Sequence, residues 1–382
     1  MSTRPAAIAL TVAAVLATGC GSGCPAGDSP ARWAPRAGAA FLATSLHTAA
    51  GTWAVVVMGG SAAVHNNFWQ LFVRPVGSAR WKLVTPPGVA DNGGLVITHA
   101  GGRLLITGVR PSQGLTYTPL SQTGDSGQSW SSAGPLDAAL ANTPDALAVA
   151  PASRQLLALT TSGISQTAAP SYTRWHILTS RRALAATPAG RRCRLRAVTA
   201  AAFTAAGLPV LAGACAQPGV AGIFAPRGRT WKPAGPTLSG RQRIAVLRLT
   251  ATGHGLAALL QAGTGQAATL LAAWSASAAR WTISPPLQLR GAAPVSASLG
   301  PGRTAAVILP GRQGETITAG GQWRHLPQLP PGTATLTPGP GGQPEALAVH
   351  RTRLTVWQPA AGHTGWAQIQ VISVPIQFGS SS

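Results

Sequence analysis

Few side chains in this 382-residue chain can do acid–base or nucleophilic chemistry. There are seven carboxylates, eight histidines and two tyrosines, set against 29 basic residues. A paired-carboxylate hydrolase needs two acids at a controlled separation, and so sparse a set argues against one. Asp91 and Asp137 fall between repeats, where an acid could act, yet neither has an identifiable nucleophile beside it in sequence. The histidines (His47, His65, His99, His176, His254, His325, His350 and His363) come about one per repeat. They form no His-x-x-x-His pair or His/Asp cluster, so neither a metal nor another cofactor is expected. A Gly-x-Ser-x-Gly elbow, a Walker loop and a dinucleotide fingerprint are all missing from the sequence, and no catalytic residue is assigned.

The abundant functional group is guanidinium. Only Lys82 and Lys232 are lysines, and the formal charge is +22. Arginine forks bind carboxylate and phosphate through two parallel hydrogen bonds. Arg181, Arg182, Arg191 and Arg192 crowd the segment from Ser180 to Arg196, while Arg241 and Arg290 occupy later connections between repeats. Arg110, Arg312 and Arg351 follow the second strand of their repeats. These nine are the candidate ligand-binding residues, forming a basic face for an anionic envelope polymer, a lipid or a protein partner. Nucleic acid is not expected as the physiological partner, and the chain is expected to act as a monomer.

What positions these groups is set by tryptophan. Trp33, Trp81, Trp130, Trp175, Trp231, Trp281, Trp323 and Trp366 recur about every 48 residues, each after a small or polar turn. Such a period means one supersecondary unit copied around an axis or along a stack. Between the tryptophans lie four short apolar runs. In the second unit they are Leu95–His99, Arg103–Val109, Leu115–Thr118 and Ser129–Ser132, with Gly-rich turns between them. The fold class read from this is all-β: a seven-bladed β-propeller of four-stranded antiparallel blades, spanning residues 37–379. The tryptophans begin the outermost strands and pack between neighbouring blades. Trp33, or the tail from Ile372 to Phe378, could close the ring.

One hairpin carries a family signature. Thr123, Asp125, Gly127, Ser129 and Trp130 match the pattern Ser/Thr-x-Asp-x-Gly-x-Ser/Thr-Trp. This resembles the Asp-box, or bacterial neuraminidase repeat, of sialidase-like propellers. Asp125 can accept backbone N–H bonds across the turn, and Gly127 can take a conformation that a β-carbon disfavours. The resemblance implies a structural turn on the face away from a sialidase active site. It further implies that sialidase chemistry would need a tyrosine–glutamate pair, an acidic acid/base and three arginines. Tyr117 and Tyr172 both read as lying near the tryptophan hairpins, on the wrong face for that role, and Glu315 and Glu345 are the only glutamates.

Residues 1–19 read as a signal peptide, with Arg4 ahead of a short apolar stretch. The run from Leu16 to Cys20 resembles the lipobox of bacterial lipoproteins, with Ala17 where leucine is preferred. That resemblance implies lipidation at Cys20 and a tether over residues 20–36, placing the protein on the extracytoplasmic side of a membrane. Export permits disulfides, and Cys193 and Cys215 flank an apolar hairpin whose open ends could bring them together, given a bulge. The resulting expectation is a non-enzymatic, membrane-anchored binding or scaffold propeller. The alternative is a sialidase-related glycan hydrolase or lyase.

Overall fold

The computed structural model describes residues 44–60, 67–87, 94–100, 102–110, 117–168, 171–252, 255–291, 293–300, 302–318, 320–338, 343–362 and 364–375. Cys20, Trp33, Asp91, the leader and the tether lie outside the described residues. Among the described residues the architecture is almost wholly β, arranged as consecutive antiparallel meanders of four strands. The first comprises Thr44–Thr48, Gly51–Gly59, Asn67–Pro75 and Lys82–Leu83. The second runs through Leu95–His99, Leu105–Val109, Thr118–Thr123 and Ser131–Leu136. The third uses Leu147–Val149, Leu156–Leu159, Ile164–Thr167 and His176–Thr179. Leu195–Phe203, Pro209–Cys215, Gly222–Arg227 and Thr230–Pro233 make the fourth. The fifth begins with Ile244–Thr252, Gly255–Ala262 and Thr269–Ser275, the last of which pairs with the short Thr282–Ile283 and Leu287–Gln288. Ser296–Gly300, Thr304–Leu309, Gln313–Ile317 and Arg324–His325 follow, and Thr333–Pro338, Pro344–His350, Arg353–Pro359 and Trp366–Ser373 come last.

Burial explains why the first two runs of each meander read as continuous apolar stretches. Leu95–His99 and Leu105–Val109 are buried at every position, whereas the outer pairs Lys82–Leu83 and Arg324–His325 are exposed. A strand covered on both faces loses the in–out alternation that a half-solvated strand keeps. Between neighbouring meanders lie apolar clusters. One joins the first and second through Trp53, Leu71, Leu95 and Leu105. Another joins the last back to the first through Leu347, Val356, Phe72 and Trp81. The packing therefore returns to its start.

The tryptophans fasten this circuit, as the repeat spacing anticipates. Each described member sits at or near the start of an outer strand, and in five of them the indole N–H reaches the backbone of the preceding meander. Trp130 Nε1 donates to Val84 O (3.0 Å), Trp175 to Pro135 O (3.0 Å) and Trp281 to Ala234 O (2.7 Å). Trp323 and Trp366 repeat the contact on Pro285 O and Pro327 O. At the junction of first and last meanders the acceptor changes. Trp81 Nε1 donates to the carboxylate of Glu345 (3.1 Å), and the Gln370 side chain bonds both the N–H and the carbonyl of Trp81. Arg74 lies over the Trp81 ring at 5.7 Å and pairs with Glu345 at 3.4 Å. Glu345 is wholly buried, and burial pushes its carboxyl above the usual range. Gly59 N also donates to Arg351 O (2.8 Å) across this junction, and among the described residues no strand of the first meander pairs with one of the last.

Several local readings change. The arginine-rich connection Ser180–Arg196 reads by composition as a solvated loop, but holds two short helices, Arg181–Ala186 and Pro188–Cys193. Ser180 and Thr187 cap them by accepting from Ala183 N and Gly190 N, and Pro188 occupies the first turn, where no N–H is needed. In the second meander the third strand is Thr118–Thr123, so Tyr117 stands at the end away from the tryptophan hairpin, contrary to expectation. Tyr172 does lie by its hairpin and is buried. Cys193 and Cys215 form the expected disulfide, with Cα atoms 5.0 Å apart, and a register shift after Leu195 supplies the needed bulge.

Candidate functional site

The Asp-box turn is built as its residues suggest. Asp125 accepts from Ser129 N (2.9 Å) and from the Thr123 and Ser129 hydroxyls, and Gly127 N donates to Thr123 Oγ1 (3.0 Å). These bonds hold the Asp125 carboxyl down at about 2, the Ser129 contributions being largest. Gly127 has φ +81°, and a Cβ there would sit 2.6 Å from the Val84 side chain. Every partner belongs to the turn or to packing, so the motif is a fastener.

The basic face is only partly assembled. Arg110 turns inward, donating from Nε to Ala141 O (2.9 Å) and from Nη2 to Thr143 O, and burial pushes its guanidinium down to about 10. Arg312 donates to Leu329 O, Arg181 to Arg196 O and Arg191 to Ala186 O, so these three also brace backbone. Arg182, Arg192, Arg241, Arg290 and Arg351 are exposed. The two helices gather Arg181, Arg182, Arg191 and Arg192, whereas Arg290, Arg312 and Arg351 stand on other connections with backbone at positive φ. Asp137 is exposed just past the Ser131–Leu136 strand.

The chemically dense region is elsewhere, among the inner strands. Asp145 opens the third meander's inner edge, where it bridges to Ala200 of the fourth. Its carboxylate accepts from Arg248 Nε (2.7 Å) and Nη2 (2.8 Å), and from Leu249 N (2.9 Å). Arg248 comes from the fifth meander's inner strand, beside a register shift between Val246 and Arg248. Such a bulge re-aims a side chain, and Arg248 also donates from Nη1 to Ala297 O (2.8 Å). One guanidinium thus ties together the inner strands of three meanders. Both partners are buried, and the two-pronged geometry satisfies a charge pair that would otherwise be costly to desolvate.

His99 shares a cavity of about 20 Å³ with this pair, roughly the room one water needs. Leu46, Phe203 and Ala251 supply other parts of its wall. Burial is the main cause that lowers the His99 imidazole to about 4, with a hydrogen bond to the Ala251 backbone opposing it. At neutral pH the ring is uncharged. His47, on the adjoining inner strand, is lowered as well, by burial and then by Arg74, and its Nδ1 lies 2.9 Å from Thr52 Oγ1. Arg74 Nη2 donates to that same hydroxyl, so a polar chain runs from His47 to the Arg74–Glu345 junction. A neutral base beside a fixed carboxylate–guanidinium pair can order a water and accept a proton from it.

Asp145 and Arg248 were not singled out from the sequence, and His99 was one histidine among eight. The pair is 103 residues apart, and only the Pro144-Asp145 step marks it locally. Among the described residues no group of three or more His, Cys, Asp or Glu side chains could hold a metal. No described helix is long and apolar enough to cross a membrane.

No protein-family model matches the chain, and no curated protein matches it. Its fold likeness is to propeller proteins among solved structures. A Bacteroides uniformis protein assigned to the 6-phosphogluconolactonases aligns with TM-score 0.51 and 13% identity, over 83% of this chain and 96% of its own. The periplasmic gluconolactonase of Pseudomonas aeruginosa aligns with TM-score 0.51 and 12% identity, over 84% and 96%. The acylaminoacyl peptidase of Pyrococcus horikoshii gives 0.50 and 8%, with 86% of this chain matched but only 52% of that one. The likeness supports a propeller and does not extend to an Asp-box sialidase assignment. It also corrects the expectation of a non-enzymatic binding scaffold, because the neighbours just described carry the names of hydrolytic enzymes. The hydrolase alternative is the one carried forward.

Proposed function

We propose that this chain is a seven-bladed propeller hydrolase acting on a sugar-derived lactone or ester, with the cavity beside His99 as its reacting centre. The observation that carries the reading is a neutral, buried imidazole sharing a water-sized cavity with the Asp145–Arg248 pair. In this scheme His99 takes a proton from a water in the cavity as that water attacks the substrate carbonyl, then returns it to the leaving oxygen. Asp145 and Arg248 hold the inner strands and the local field fixed, which limits reorganisation during the reaction. The cavity is too small for a sugar ring, so only the substrate carbonyl can meet the water it holds, with the ring left outside. The names of the gluconolactonase neighbours favour a lactone over a glycoside.

We further propose export and anchoring through Cys20, with the exposed arginines drawing an anionic substrate or envelope partner towards the molecule. Palmitate labelling that survives in the wild type and is lost in Cys20→Ala tests the anchor. Turnover is tested by following acid release from a panel of aldonolactones and sugar esters. Acceleration over the spontaneous rate on at least one sugar lactone supports the assignment; spontaneous rates throughout the panel remove it.

A further inference from the structure

A strand at the end of a sheet shows a row of unpaired backbone groups, and proteins blunt such edges with short strands, proline, charge or bulges. The outer strands of the first six meanders follow that rule. Lys82–Leu83, Thr282–Ile283 and Arg324–His325 are two residues each, and His176–Thr179 is four. Ser131–Leu136 contains Gly134 and Pro135, and Thr230–Pro233 contains Lys232 and ends on proline. The last meander is different. Trp366–Ser373 is eight residues long and holds no charge, glycine or proline. Arg353–Pro359 pairs with one side of it, and among the described residues no strand pairs with the other. One register shift lies between Val356 and Trp357, and beyond it Gln370–Ser373 keeps a regular ladder.

The two faces of this strand differ. Val371 and Ser373 share a face with their ladder partners Thr355 and Arg353, and Ile369 alternates onto it. Ile369 is 42% and Val371 47% exposed, so two branched apolar side chains stand in water beside an open edge. On the opposite face the Gln370 side chain accepts from Trp81 N (2.8 Å) and donates to Trp81 O (2.9 Å), which sets Arg80 and Lys82 next to the strand. Arg80, Lys82 and Arg353 are exposed. The one carboxylate of the last meander, Glu345, is buried in the junction. The edge is therefore neutral along its length, apolar on one face and bordered by cations. None of these residues lines the cavity beside His99, so the occupant of the edge is independent of the hydrolase assignment.

Area and charge select what covers it. Eight residues of edge, about 27 Å long and roughly 10 Å deep, offer a footprint of about 270 Å². Stable contacts between folded proteins bury about 800 Å² per partner, and a second copy would bring a further formal charge of +22 against the first. An extended peptide needs no such area, because added strands bind through main-chain bonds with alternate side chains setting specificity. We propose that the open edge of Trp366–Ser373 takes an extended acidic segment of a partner protein as a fifth strand of the last meander. In that segment branched apolar residues alternate with carboxylates. The apolar set lies beside Ile369 and Val371, and the acidic set falls on the face of Arg80 and Lys82.

The test titrates the full chain with a capped synthetic peptide alternating glutamate and valine, read by fluorescence anisotropy and by hydrogen exchange of the Trp366–Ser373 amides. Saturable binding with slower exchange in that strand is expected, and the same peptide with lysine for glutamate should not bind. In a strand the valine amides all point to one side and the glutamate amides to the other. Methylating the nitrogens of one set should therefore abolish binding, while methylating the other set leaves it. Val371→Asp removes an apolar cross-strand partner and adds a like charge, and should weaken binding at least about fivefold. If that variant fails to fold, the two methylated peptides decide the matter on the wild type. Several results would overturn the proposal: no binding, equal binding of the lysine peptide, the same response to both methylated forms, or slowed exchange only outside this strand. A concentration-dependent dimer that protects these amides, or an edge already protected in the free chain, would overturn it as well, since a second copy or the chain itself would then be the occupant.

Discussion

Replacing Glu345 by glutamine tests how the circuit of meanders is closed. The carboxylate is fully buried and accepts from Trp81 Nε1 (3.1 Å) and Gln358 Nε2 (2.9 Å) while facing Arg74. Glu345→Gln keeps the shape and one acceptor oxygen but leaves Arg74, which is 6% exposed, without its counter-charge. Breaking a buried pair from one side costs about 3–5 kcal/mol. The 3.4 Å spacing of the closest contacts places this pair near the lower end, about 3 kcal/mol. Adding Arg74→Leu removes the orphaned charge and should recover most of the loss, leaving the double variant within about 1 kcal/mol of the wild type. Urea unfolding followed by tryptophan fluorescence measures all three variants, with unchanged m-values confirming that only stability moved. A single-variant loss below about 1 kcal/mol, or no coupling in the cycle, would show that closure does not depend on this junction.

Further outcomes follow from other parts of the structure. Replacing Cys193 and Cys215 by alanine opens a loop with a sequence separation of 22 and should cost roughly 3 kcal/mol in urea midpoint analysis, with the wild type losing a like amount in reductant. The folded-state value for His99 is about 4 against 6.5 unfolded, so the unfolded chain binds the extra proton between those values. The His99 contribution to stability is therefore complete above pH 6.5 and falls by about 3 kcal/mol as pH drops to 4; His99→Gln should flatten that part of the stability–pH curve. Gly127→Ala places a methyl group against Val84 at positive φ and should cost about 2 kcal/mol in the same unfolding assay.

How much of this was legible in the sequence depends on whether the signal is local. The series of tryptophans exposed the repeat because five of the indoles perform the same task on the meander before them. The Asp-box was readable for the same reason, since its donors and acceptors lie within one turn. The disulfide followed from a hairpin between two cysteines. Asp145–Arg248 and Trp81–Glu345 were not legible, because 103 and 264 residues separate partners that only ring closure brings together. The state of His99 was hidden likewise, because its burial is set by strands from other meanders. The helices at Arg181–Ala186 and Pro188–Cys193 did carry signals in Ser180, Thr187 and Pro188. Their six-residue length and arginine-rich composition read as a solvated loop instead.

The most direct test of the proposed chemistry is the rate of glucono-δ-lactone opening by pH-stat, comparing wild type with His99→Gln. The account predicts catalysis by the wild type that holds from neutral pH down towards 4, and a fall of at least about a hundredfold in the variant while its far-ultraviolet circular dichroism stays the same. A wild type that only matches spontaneous opening, or a glutamine variant that turns over at the wild-type rate, would contradict it.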